Sequence, residues 1–237
     1  MKTTIRFFNA FIRIFFLLLL LIFLPAWFVG IEQQIEIRIS VAIYALFIFN
    51  SLWPAVQGRF SKKKDDILPP TRLEAWLDNA VIFGFWGIHF SAIFDYKLAL
   101  STSLFSFFPS TVSIFFPREF SFYLGLIVMI LSLVLAYSSV GTLGEYFDRL
   151  TIKKNQPLIT SGVYGVVRHP IYSAYLLLFS GFCLIMKSPL SLVLLLLIAY
   201  LWSITFIKRE ELMLIKQFGD SYIEYSKKVK RLIPFIY

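Results

Sequence analysis

The chain has 237 residues, of which 58% are hydrophobic, 19% aromatic and only 16% charged, and its mean hydropathy is +0.75. A soluble domain carries about 25% charged residues, and one water-soluble core of this length has no room for 27 Phe beside the Leu- and Ile-rich runs. These figures exclude a disordered chain, a soluble enzyme and a secreted disulfide scaffold. They describe an all-α polytopic membrane protein.

A membrane-crossing helix needs roughly 20 mostly apolar residues. Five segments reach that length: Phe11–Val29, Ile39–Val56, Asn79–Tyr96, Phe122–Val140 and Pro189–Ile207. A sixth, Ile171–Met186, is slightly short but is flanked by Tyr172 and Lys187, which suit an interface. The first segment follows a basic start, yet Ala26-Trp27-Phe28 is a poor cleavage site, so a signal anchor is expected rather than a removed signal peptide. The apolar stretch Leu104–Phe116, cut short by Pro109 and Pro117, is expected to lie at the interface or re-enter. The polar, basic stretch Gln57–Asp78, with Pro69-Pro70, separates a two-helix unit over residues 1–78 from a core over 79–237. Both are expected to pack as one body.

The net charge of +9 invites a nucleic-acid reading, but topology accounts for it. With the N-terminus cytoplasmic and six spans, 19 of the 23 Lys and Arg fall inside. The other 4 are Arg38, Lys97, Arg118 and Lys187. That asymmetry is what the positive-inside rule demands, with both termini cytoplasmic and no nucleic-acid partner.

Ionisable groups inside spans are functional candidates by default. His89, in the third span, is most simply a packing histidine bonded to neighbouring backbone, and Asp95 lies at the outer end of the same span. One Cys and two His leave no basis for a zinc cluster or an intrachain disulfide, so no metal is expected.

The segment from Lys153 to Tyr172 is richer. Gly162 and Gly165 permit tight turns, and Pro170 suits the first turn of the following span. His169 then falls at the helix N-cap with Arg168 just outside. The free N–H groups and positive dipole end of that helix make an anion site at the membrane boundary. An ordinary basic anchor would explain Arg168 alone, but not Gly-x-Tyr-x-x-x-Arg-His-Pro-x-Tyr as a whole.

A second polar cluster, Lys208-Arg209-Glu210-Glu211, follows the last span. The arms between the two clusters are about 24 and 28 Å long at 1.5 Å per residue, so a helical hairpin sets Arg168-His169 and Glu210 side by side. The acids could equally be a charge pair balancing Lys208 and Arg209. Leu214 and Phe218 follow Glu210 at i+4 and i+8, placing the carboxylate above an apolar stripe. Gly219 ends that helix and Asp220 or Ser221 can cap the next, whose buried face is Tyr222, Tyr225 and Val229. This C-terminal pair would cover the site as a cytosolic lid.

Together, Ser161-Gly162-Val163-Tyr164, Arg168-His169-Pro170-Ile171-Tyr172, Glu210-Glu211 and Phe218-Gly219-x-x-Tyr222-x-x-Tyr225-x-x-x-Val229-x-Arg231-x-x-Pro234 resemble the isoprenylcysteine carboxyl methyltransferase family over residues 120–237. Integral-membrane phospholipid and thiol methyltransferases carry related motifs. The resemblance implies an S-adenosylmethionine-dependent methyltransferase with a lipid-like or small hydrophobic methyl acceptor and with membrane lipids around it as partners. It implies cofactor contacts at Gln156, Pro157, Leu158, Ile159, Tyr164, His169, Pro170, Ile171, Tyr172 and Glu210. Glu210 is expected to hold the adenosine or amino-acid part, His169 with its helix end the cofactor's carboxylate, and Arg168 to orient the site. The family's Arg for the substrate carboxylate falls where this chain has Phe206, so Lys208 or Arg209 is expected to substitute.

A carboxylate or thiolate nucleophile needs no general base, which fits the lack of a catalytic dyad. Alignment and removal of water would supply the catalysis. Two other classes stay open. An NADPH-dependent sterol-type reductase would need more basic residues for the phosphates and a proton donor, with only Tyr164 or Tyr172 to offer. A transporter or scaffold would have to be built on His89 and Asp95.

Overall fold

The computed structural model describes residues 2–59, 71–98, 118–148, 153 and 155–234. The predicted segment Leu104–Phe116 and the Pro69-Pro70 break lie outside the described residues. Every extended element within them is helical, and the sole pairing of strand type is an isolated parallel bridge between Val167 and Lys230.

Helix α1 (Lys2–Leu18) runs through a π-helical turn, Leu19–Phe23, into α2 (Leu24–Phe28). Pro25 at the start of α2 has no N–H to give, and the wider turn before it absorbs the lost bond. Next come α3 (Ile35–Val56), α4 (Arg72–Leu98), α5 (Arg118–Leu143), α6 (Pro170–Ile185) and α7 (Pro189–Trp202). A second π-turn, Ser203–Ile207, carries α7 into α8 (Lys208–Phe218), and α9 (Asp220–Lys228) closes the bundle.

Among the described residues five helices are long and apolar enough to cross a membrane, and α6, at 16 residues, is a shorter sixth. Their outward faces stay apolar: Phe28 is 74% exposed and Leu196 72%. Greasy side chains displayed around a bundle, rather than buried in it, are what a hydrocarbon solvent selects.

Without a hydrophobic drive between helices in lipid, close approach depends on small residues. The α5–α6 crossing shows this. A Cβ on Gly125 would sit 2.6 Å from the Gly181 carbonyl, and one on Gly181 would sit 2.7 Å from the Gly125 carbonyl. Either substitution would push the helices apart. Helix α4 packs on α7, and α3 packs on both α5 and α6, so the first two spans are built into the same body as the rest.

His89 is fully buried between aromatic rings. Its Nδ1 lies 2.6 Å from the Phe85 carbonyl, which can only accept. Nδ1 therefore carries the proton, and Nε2 accepts from the Tyr44 hydroxyl at 2.8 Å. Both nitrogens are satisfied, as a packing histidine requires. Asp95, expected at the outer interface, is instead buried, on the helix whose Tyr96 hydroxyl donates to Glu36 at 3.1 Å.

Candidate active site

Lys187 adopts a left-handed φ of 52° between α6 and α7, and Ser188 caps α7 by accepting from the Ser191 N–H. This turn reverses the chain and brings the start of α6 beside the start of α8. His169 is the N-cap of α6 with Pro170 at its first position, as the sequence predicted, although the imidazole makes no capping bond. The ring is instead aimed at the acids: Nε2 lies 3.3 Å from Glu211 and Nδ1 3.7 Å from Glu210 Oε2.

Glu211 is the hub that fixes this geometry. Arg168 donates to its Oε1 from Nε at 3.0 Å and Nη2 at 2.7 Å. Arg231 donates to Oε2 from Nε at 2.9 Å. The Arg168 and Glu211 side chains are 9% and 10% exposed. Such a buried pair is tolerable only because its remaining hydrogen-bonding capacity is used. Arg168 Nη1 donates to the carbonyls of Ser226, at 2.8 Å, and Val229. The C-terminal backbone continues the tie: Arg168 N–H donates to Lys230 O, His169 N–H to Arg231 O, and Ser173 Oγ to Leu232 O. One arginine thus ties α6, α8 and the segment after α9.

The lid of α8 and α9 is present, with two differences from expectation: Val229, expected on the buried face of α9, is instead its extended C-cap and only half-buried. Gly219, at φ +55°, is itself the N-cap of α9, and no side chain caps it. Asp220 is already helical. Tyr222 and Tyr225 form the buried face, with Tyr222 reaching Glu211 at 3.4 Å and Tyr225 donating to the Tyr164 carbonyl. Burial pushes the Tyr225 phenol up to about 12. Burial, with Glu210 beside it, also holds Tyr164 well above the ordinary phenol range. Both are neutral donors at physiological pH.

Under this lid lies a cavity of about 440 Å³. Ten of the predicted cofactor contacts, Gln156 through Ile159, Tyr164, His169 through Tyr172 and Glu210, line it, and so does Arg168. Lys208 and Arg209 do not. The N-terminal half, which carried no motif, supplies Ser51, Val81, Ile82 and Phe85 to the wall. Sequence reasoning missed these residues because nothing in a mostly apolar span marks which face turns inward. Glu211 and Arg231 were visible as motif members, but their pairing was not, since it depends on how α8 and the C-terminal segment meet.

The cavity has two characters. At one end stand Gln156, Tyr164, His169 and Glu210. At the other, Phe85, Tyr175, Phe179 and Trp202 form an aromatic cluster with ring centroids 4.7–6.0 Å apart, and Tyr172 joins the two ends, its ring 4.7 Å from Trp202 and 5.6 Å from His169. Glu210 Oε2 is buried and makes no hydrogen bond. With the His169 ring near it, at 3.7 Å, this buried carboxylate oxygen can still accept from a donor or face a cation. That fits a ligand such as S-adenosylmethionine, with hydroxyls, an ammonium and a sulfonium to offer.

The helical fold and this site define a multi-span helical protein with a ligand cavity at the junction of α6 and α8. Comparison with known proteins narrows the class. A family model described as phospholipid methyltransferase matches residues 120–221. A probable protein-S-isoprenylcysteine O-methyltransferase of Oryza sativa subsp. indica is 32% identical over 189 residues, covering 70% of this chain and 98% of the rice protein. The corresponding Xenopus laevis enzyme is 34% identical over 116 residues, 48% of this chain and 40% of its own. The solved eukaryotic intramembrane Ras methyltransferase, an isoprenylcysteine carboxyl methyltransferase, shares the fold over 99% of this chain and 85% of that one. Its TM-score is 0.55 and its identity 23%.

The chain belongs to the protein-S-isoprenylcysteine O-methyltransferase family. It is a multi-pass membrane methyltransferase whose methyl donor is S-adenosylmethionine.

Proposed function

We propose that the enzyme methylates the carboxylate of a membrane-held, S-prenylated cysteine acid, with both termini and the polar end of the cavity facing the cytoplasm. The observation that carries this reading is the two-ended cavity. Glu210 Oε2, which makes no hydrogen bond, and the His169 ring stand at one end, and an aromatic cluster forms the other. A soluble donor and a lipid-like acceptor need such a junction.

S-adenosylmethionine supplies an electrophilic methyl on sulfur, which an ionised carboxylate can take without giving up a proton. The protein's part is therefore to bind, align and dehydrate. Glu210 engages the donor, the start of α6 with His169 faces the donor's carboxylate, and Gln156 to Ile159 with Tyr164 frame it. Arg168 does not reach outward, because its guanidinium is spent on Glu211 and two carbonyls. It is a positioning residue. The aromatic walls exclude water from the nucleophile, which strengthens every charge interaction in the cavity. Residues 1–78 serve the core by supplying Ser51 to the wall and α3 to the packing behind it.

The reading is tested with radiolabelled donor and three acceptors: an S-prenylcysteine acid, an amine-headed phospholipid and a small thiol. Label released as methanol by mild alkali marks a carboxyl ester and is the expected result. Alkali-stable label in the lipid or the thiol would contradict it.

A further inference from the structure

Two acids stand among the residues that line the cavity, Glu210 on α8 and Asp148 beyond the end of α5. The basic side chains on the same wall are Arg168 and His169. The Arg168 guanidinium is held by Glu211 and by the carbonyls of Ser226 and Val229. Glu210 belongs to a motif that marked it from the start. Asp148 belongs to none, and only the fold brings it to this wall.

Local structure explains how it arrives there. Gly125 faces Gly181 and Ile185 while Met129 faces Gly181, the order of an antiparallel helix pair. The end of α5 therefore returns to the level at which α6 starts. A Cβ on Gly162 would sit 3.1 Å from the Thr142 hydroxyl, so the turn before Tyr164 packs directly on the last turn of α5. Beyond Leu143, the Gly144 carbonyl accepts from the Phe147 N–H at 3.3 Å and from Arg59 Nη1 at 3.4 Å. Lys153 Nζ donates to the Glu145 carbonyl, and the Lys153 N–H donates to Gln156 Oε1 at 3.0 Å. The segment is thus fastened to the N-terminal unit on one side and to the Gln156–Ile159 stretch on the other. Buried Phe147 anchors it, and Tyr146 and Asp148 line the cavity.

S-adenosylmethionine carries two cations, the sulfonium and the α-ammonium, against one carboxylate. An ammonium that leaves water without a new acceptor loses its hydration for nothing, and an ionised acceptor replaces that hydration best. The start of α6 offers N–H groups, which suit the donor's carboxylate and cannot serve its ammonium. We propose that Asp148 is a donor-binding residue that accepts from the α-ammonium of S-adenosylmethionine, leaving Glu210 to the sulfonium or the ribose. The proposal rests on the donor site described above and not on the identity of the acceptor. Two acids then answer two cations, and the helix start answers the one anion. The ammonium is the same before and after methyl transfer, so Asp148 holds donor and homocysteine product alike. Its contribution goes to donor affinity rather than to the chemical step.

The test is calorimetry on the full chain in lipid nanodiscs with two probes, S-adenosylhomocysteine and its deamino analogue, in which hydrogen replaces the ammonium. Wild-type protein is expected to bind S-adenosylhomocysteine at least tenfold more tightly than the analogue. Asp148→Asn keeps the side chain's shape and should weaken S-adenosylhomocysteine tenfold or more while leaving the analogue within about twofold of its wild-type affinity, which also certifies the fold. The two deletions remove the same contact, so their effects should not add. In methyl-transfer assays the variant should raise KM for the donor by more than it lowers kcat. A wild-type protein that does not discriminate between the probes would overturn the proposal without any variant. So would an Asp148→Asn protein that binds S-adenosylhomocysteine as wild type does, or one that loses affinity for both probes equally. Wild-type affinity for S-adenosylhomocysteine in Asp148→Asn and Glu210→Gln alike would overturn the donor site itself.

Discussion

Arg168 and Glu211 stand 43 positions apart in the chain and 2.7 Å apart in space. The guanidinium that meets Glu211 at the head of α8 also holds the backbone at Ser226 and Val229 and sits one residue before the cap of α6. The site is therefore assembled by a charge deep in the polar end of the bundle. Four consequences can be measured.

Glu211→Ala leaves Arg168 buried without its counter-ion, and breaking such a pair costs about 3–5 kcal/mol. The loss should be local to the lid. Thermal unfolding in detergent should shift downward, and limited proteolysis should cut between α8 and the C-terminus well before the spans are lost. Wild-type melting and protease resistance would show that the network carries no such weight.

How much of this was legible in the sequence depends on the kind of signal. The spans, their order and the hairpin returning Glu210 to His169 follow from hydrophobic run length and rise per residue, which are local quantities. The short α6 was expected from Ile171–Met186. The roles within Glu210-Glu211 were not separable, because adjacent acids on a helix point about 100° apart and only packing decides which meets the arginines. The capping of α9 was misassigned for a different reason: Gly219 takes φ +55° and serves as both the end of one helix and the cap of the next.

His169→Asn separates capping from ligand contact. Asn is a good N-cap, so α6 should start normally and thermal stability should fall little. Donor affinity should fall, because an amide cannot reproduce the ring facing both Glu210 and Glu211. Unchanged donor affinity with intact stability would reduce His169 to a structural cap.

Tyr225→Phe removes the hydrogen bond to the Tyr164 carbonyl and should destabilise the lid by about 1 kcal/mol. It should also change alkaline behaviour. The folded-state phenol is raised to about 12, above its unfolded value near 10. Its contribution is therefore complete below pH 10 and is lost as pH rises toward 12. Stability measured from pH 9 to 11 should decline less steeply in Tyr225→Phe than in wild type. Parallel slopes would contradict the assignment.

The central claim, that the cavity under α8 and α9 is the donor site with Glu210 at its wall, is tested most directly by calorimetric titration of Glu210→Gln with S-adenosylmethionine and with S-adenosylhomocysteine. Losing a charge-assisted contact should weaken donor binding by about 1.5–3 kcal/mol. If the carboxylate faces the sulfonium, the uncharged homocysteine product should lose less; if it holds the ribose, both should lose alike. Wild-type affinity for both ligands in a correctly folded Glu210→Gln protein would contradict the account.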